Sequence, residues 1–84
     1  VGYTATGTRA RPGTLAADPA IFPYGTVIYV PGYGYGRVED CGGEIKGYKI
    51  DVFFRHHRQA QQWGRVRRET IVWFPLRTAR PLRR

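Results

Sequence analysis

Cysteine occurs once, at Cys41, in a chain of 84 residues, and the only histidines are the adjacent pair His56 and His57. A single cysteine excludes an internal disulfide and a zinc cluster of cysteines, and it leaves the redox compartment open. As a nucleophile Cys41 would need one of those two histidines as its base. The plainer alternative is a small packed residue. Neighbouring histidines at the start of a helix point to different faces and cannot form an i, i+4 metal pair, so no metal and no cofactor are expected. No apolar run approaches the roughly 18 residues that a membrane span needs. The chain opens on Val1 with no initiator methionine, which points to a processed or excerpted chain. Acidic residues are scarce as well, 6 against 14 lysines and arginines, for a net charge of +8. That balance calls for an anionic partner or surroundings: nucleic acid, anionic lipid or the acidic polymers of a bacterial wall.

What the chain does have is apolar bulk. Hydrophobic residues make up 42 % of it, with two tryptophans, four phenylalanines and six tyrosines, enough for one modest core in one small domain. Glycine and proline recur at short intervals, which breaks any long helix. Between the breaks lie short runs rich in β-branched and aromatic residues, over residues 3–8, 26–30, 36–40, 48–54 and 69–74, which read as five strands. One helix is expected over residues 55–63, with Ala60 and Trp63 as its buried stripe and Gly64 as a left-handed cap. The domain is expected to occupy residues 1–75. Residues 76–84 are basic and carry a proline, and are expected to leave it as a tail, either a linker end or an electrostatic tether.

The densest chemistry lies between Asp40 and Asp51, where a dozen residues hold Gly42, Gly43, Gly47, Glu44, Lys46 and two of the three aspartates. Alternation along residues 48–54 puts Ile50, Val52 and Phe54 on one face and Lys49, Asp51 and Phe53 on the other. Aspartate is disfavoured inside strands, so Asp51 reads as a position chosen for function.

Three motifs in a fixed order carry a family resemblance: Tyr3-Thr4-Ala5-Thr6, then the stretch from Ala16 through Asp18-Pro19 to Thr26, then the segment from Glu39 to Phe53. Together they resemble the 3D domain, named for three aspartates and similar to the catalytic barrel of membrane-bound lytic murein transglycosylase A. The matching positions are Asp18, Asp40 and Asp51. The resemblance implies an all-β fold, a small closed six-stranded double-psi β-barrel with one short helix. It implies a bacterial, extracellular or wall-associated setting, peptidoglycan glycan strands as partner, and lytic transglycosylation that cleaves the MurNAc–GlcNAc β-1,4 bond and leaves a 1,6-anhydromuramoyl end. Glu44 departs from the pattern, standing where the family usually carries alanine.

In that chemistry one carboxyl group can protonate the leaving oxygen and then take the proton of the attacking muramic C6 hydroxyl, and Asp51 is the candidate. Asp40 would tune it through a shared proton. Asp18, before Pro19, is either a third catalytic group or an Asx turn. Lys46 is expected to grip substrate oxygens, and Gly42, Gly43 and Gly47 to let the backbone approach the glycan. The hydroxyls of Thr4 and Thr6 and the ring of Tyr3 would complete the binding surface. Three alternatives stand beside the enzyme. One is a non-catalytic wall-binding module. Another is a two-carboxylate glycoside hydrolase, whose stereochemistry the carboxyl separation would set. The third is a nucleic-acid module, which no recognised motif supports and which is not expected. Other anionic wall polymers are further possible partners.

Overall fold

The computed structural model describes residues 2–67 and 69–75. They form five strands and one helix in the order β1 (Thr14–Ala17), β2 (Val27–Val30), β3 (Gly34–Asp40), β4 (Ile50–Val52), α1 (His57–Trp63) and β5 (Ile71–Trp73). All five strands join one sheet in the order β4-β1-β3-β2-β5. β1 runs parallel to β3, and the other three pairings are antiparallel. Among the described residues the sheet is open, with β4 and β5 at its edges, and it does not close into the expected six-stranded barrel.

Two departures at the front of the chain explain the difference in strands. Residues 3–8, expected as a strand, are instead a tight turn with a single antiparallel bridge between Tyr3 and Arg9. Threonine hydroxyls compete for local bonds: Thr4 Oγ1 lies 3.1 Å from Thr6 Oγ1 and 2.7 Å from Thr8 Oγ1, and the Thr8 amide donates to Thr4 Oγ1 at 3.2 Å. Gly7, at φ 92°, completes a bend that a strand would not tolerate. In its place Thr14–Ala17 forms the central β1, although its two alanines carry little β-propensity. Burial explains this strand, since Leu15 and Ala17 are both fully enclosed.

The core lies on one face of the sheet and consists of Leu15, Ala17, Phe22, Ile28, Val30 and Val38, flanked by half-buried Ile50, Val52, Trp63 and Val72. Gly36 belongs to it by necessity: a Cβ there would stand 2.6 Å from Leu15 Cγ. Tyr33 ties two loops together, its hydroxyl accepting from the Gly13 amide at 2.8 Å and donating to the Phe53 carbonyl at 2.6 Å. Helix α1 buries no residue fully, and Ala60 is exposed rather than part of a stripe; Trp63 is half-buried and packs against Tyr33 and Phe54. Gly64 ends the helix at φ 62°, its amide donating to the Ala60 carbonyl at 3.1 Å. The expected basic tail, residues 76–84, lies outside the described residues.

Candidate functional site

Strand register brings the three aspartates to one end of the sheet. Ala16 of β1 pairs with Asp51 of β4 on one side and with Asp40 of β3 on the other, and Asp18 follows two residues after Ala16. Directly paired residues share a face, so Asp40 and Asp51 flank the small Ala16 side chain with about 9 to 10 Å between their backbones. Strict alternation would have placed Asp40 on the side of Val38, in the core. A bulge prevents this: the register slips between Leu15 and Ala16, so that Val38 pairs with Leu15 and Asp40 with Ala16, leaving Glu39 as the extra residue. Val38 and Glu39 are consequently both buried, and Asp40 is turned out beside Ala16.

Glu39 is the residue that the sequence reading passed over. Its carboxylate accepts from Thr8 Oγ1 at 3.0 Å and from both terminal nitrogens of Arg11, at 3.1 and 3.2 Å, with Thr14 Oγ1 at 3.5 Å. Its carbonyl accepts from the Thr6 amide and hydroxyl at 3.2 and 2.9 Å. The available signal was two adjacent acids at the end of an apolar strand, where alternation can expose only one of them.

Asp40 and Asp18 are both committed to backbone amides. Asp40 Oδ1 accepts from Ala5 and Cys41, each at 2.9 Å, which fastens the front turn to the end of β3. Asp18 Oδ1 accepts from Ala20 at 3.0 Å, an Asx turn, while Oδ2 accepts from Gly47 at 3.0 Å. These bonds, the Gly47 amide first and then the Ala20 amide, with Lys46 adding a nearby positive charge, hold the Asp18 carboxyl below its ordinary value of 3.8. Gly47 makes the bond at φ 71°, where a side chain would be strained. Asp18 thereby fixes the loop that carries Lys46.

Asp51 differs from both. It is exposed, its carboxylate makes no hydrogen bond or ion pair among the described residues, and it lines an open groove of about 840 Å3. That volume falls in the range of about 300 to 1,000 Å3 usual for ligand sites. Lys46, Tyr48 and Glu44 line the same groove from the loop before β4, and Arg65 and Arg67 line it from the chain leaving α1, with Val30, Val52 and Trp63 as apolar lining. Tyr48 is 84 % exposed, its ring meeting Phe22 edge-on at 6.2 Å.

The remaining expected contacts lie elsewhere. Asp18, Asp40, Gly42, Gly43 and Gly47 do not line the groove, and neither do Tyr3, Thr4 and Thr6. Thr4 is buried with its hydroxyl turned to Thr6 and Thr8, and Tyr3 is exposed under the Arg9 guanidinium, 5.6 Å from its ring centre. Gly42 is closely approached by Ile45, whereas Gly43 faces open space. Cys41 is exposed rather than packed, and its hydrogen bond to Tyr24 raises the phenol's pKa above the ordinary 10.0. Among the described residues no three potential ligands gather as a metal site, and no helix is long and apolar enough to cross a membrane.

Two relatives of known sequence match 75 % of the chain at 43 % identity over 67 residues, both from Bacillus subtilis strain 168. One is YabE, to which its name gives a provisional cell-wall-shaping role; the other is YocH, named a cell wall-binding protein. The matched region is 16 % of the length of the first and 23 % of the second, so the chain corresponds to a minor part of each. The 3D domain model matches residues 13–75, and the chain therefore belongs to the 3D domain family.

Proposed function

We propose that this chain is a bacterial wall module that binds peptidoglycan glycan strands along the β4 groove. The observation that carries the reading is the groove's composition: an unengaged carboxylate, the Lys46 amine and the open Tyr48 ring are the groups that hold sugar hydroxyls, amides and ring faces. The names of the two relatives, wall shaping and wall binding, support the same setting outside the cell. Co-sedimentation with purified sacculi tests it. Replacing Lys46 and Tyr48 together by alanine is expected to weaken binding about tenfold, the loss of roughly one aromatic and one charged contact. Unchanged binding would remove the groove from the account.

A second reading is favoured by one feature, the unengaged state of Asp51. In lytic transglycosylation the Asp51 carboxyl proton passes to the leaving O4 of N-acetylglucosamine as the bond from muramic C1 breaks. The muramic O6 then bonds to C1 and its proton passes to the Asp51 carboxylate, so no water is consumed. Asp51 is exposed in the free chain, so the bound glycan must itself exclude water from the carboxyl. Asp40 and Asp18 act in this reading by positioning the two flanking loops. Mass spectrometry of material released from sacculi decides it. Anhydro ends, lighter than hydrolysis products by one water and lost in Asp51→Asn while sacculus binding persists, are the expected result. Release of hydrolysis products points instead to a glycoside hydrolase, and release of none leaves the binding module.

A further inference from the structure

A β-1,4 amino-sugar backbone is uncharged, yet among the described residues the groove presents Lys46, Lys49, Arg65 and Arg67 against only Glu44 and Asp51. The one ion pair among the described residues, Arg11 with Glu39, involves none of these six. The excess positive charge therefore faces whatever occupies the groove. Lys49 stands just before β4, two residues ahead of Asp51, while Arg65 and Arg67 come from a different segment, so cations reach the groove from two separate stretches of chain. A neutral glycan needs at most a few donors, for which Lys46 and Tyr48 suffice. Charge in excess of that need selects for an anion carried by the ligand itself.

On a peptidoglycan strand the carboxylates hang from the lactyl group of the muramic residue, as the free lactyl carboxylate or as those of the stem peptide joined to it. We propose that Lys49, Arg65 and Arg67 form a carboxylate subsite that reads this lactyl-borne charge. The proposal rests on the groove being the glycan site and adds a discrimination to it: muramic residues are told apart from plain N-acetylglucosamine by their substituent. Arginine suits the task because its planar fork meets a carboxylate with two parallel bonds. All three side chains are exposed, so each contact is screened by salt, and the subsite contributes selectivity more than affinity. The phosphates of other wall polymers could also meet cations, but a polyanion would engage the basic surface at large and would not depend on these three positions.

Three soluble probes of similar length test this by titration at physiological salt: a neutral N-acetylglucosamine oligomer, a glycan fragment stripped to free lactyl carboxylates, and a glycan fragment retaining its stem peptides. The wild-type chain is expected to prefer the carboxylate-bearing fragments over the neutral oligomer by about tenfold, the sum of three screened contacts. The triple variant K49Q/R65Q/R67Q should bind all three at the neutral level and melt with the wild type. Equal binding of both charged fragments assigns the charge to the lactyl group, and preference for the peptide-bearing one assigns it to the stem; either supports the subsite. Wild-type binding without preference overturns the subsite while keeping the groove. Equal losses on every probe in the triple variant, or competition by poly(glycerol phosphate) that the triple variant abolishes, overturn it too. Failure of all three probes to bind overturns the glycan reading of the groove itself.

Discussion

Replacing Glu39 by alanine removes the residue on which the geometry of Asp40 depends. The carboxylate anchors the front turn through Thr8 and Arg11, and the bulge at Glu39 turns Asp40 out beside Ala16. Hydrogen bonds to a charged group contribute about 1.5 to 3 kcal/mol, and the half-buried Thr8 bond falls at the lower end of that range. The Arg11 pair contributes less, about 0.5 to 1 kcal/mol, because the Arg11 side chain is 51 % exposed and water replaces its partner. Thr14, 5 % exposed, keeps its bond from the Arg11 amide but loses its carboxylate neighbour, a smaller loss. The combined cost of Glu39→Ala is therefore about 3 kcal/mol, and for a domain of this size that corresponds to a fall in Tm of roughly 12 to 24 °C. Glu39→Gln retains an acceptor for Thr8 and gives up the charge, at about 1 kcal/mol. Thermal unfolding followed by circular dichroism measures both, and amide exchange at Ala5 and Thr6 reports the turn directly, since those amides donate to Asp40 and to the Glu39 carbonyl. If Glu39→Ala melts within about 2 °C of wild type, the network does not hold the turn and the reasoning fails.

Gly36→Ala is expected to cost about 1 to 3 kcal/mol by overpacking, since the new methyl would stand within 2.9 Å of three Leu15 carbons; chemical denaturation measures it, and a neutral result would mean that Leu15 can withdraw. Tyr33→Phe removes the hydroxyl that joins the Gly13 amide to the Phe53 carbonyl and should cost about 1 to 2 kcal/mol in the same assay, with the apolar packing of the ring retained. The Asp18 carboxyl titrates below its ordinary value, so its stabilisation is fully present above about pH 4 and is lost as pH falls through the lowered folded value. Melting wild type and Asp18→Asn from neutral pH downward should therefore show a gap that closes below pH 4; a gap constant across that range would separate Asp18 from the loop at Gly47.

The parts of the fold visible in the sequence are those where local pattern and tertiary burial agree. Ile50 and Val52 alternate with Asp51, and the structure has them half-buried against the core with Asp51 exposed on the strand between them. The strands at Val27–Val30 and Ile71–Trp73 fall inside their β-branched runs for the same reason. Where local and tertiary preferences part, the sequence misleads. Thr14–Ala17 is a strand because it is enclosed on both sides by β3 and β4, which no local window contains. The threonines of the front turn look like strand residues until their hydroxyls find one another. A bulge adds one residue to one strand of a pair and leaves no mark in a run such as Arg37-Val38-Glu39-Asp40, so the outward turn of Asp40 was not legible. The two sides of the groove come from separate segments, one around β4 and one leaving α1, and no local window joins them.

The measurement that bears most directly on the account is an amide chemical-shift titration of the folded chain with soluble peptidoglycan glycan fragments. The largest shifts are expected along the groove, at Lys46, Tyr48, Asp51, Gly64 and Arg65. Shifts confined to the aromatic cluster where Tyr29 and Trp73 each meet Tyr35 at a tilt, or no shifts at all, would contradict it.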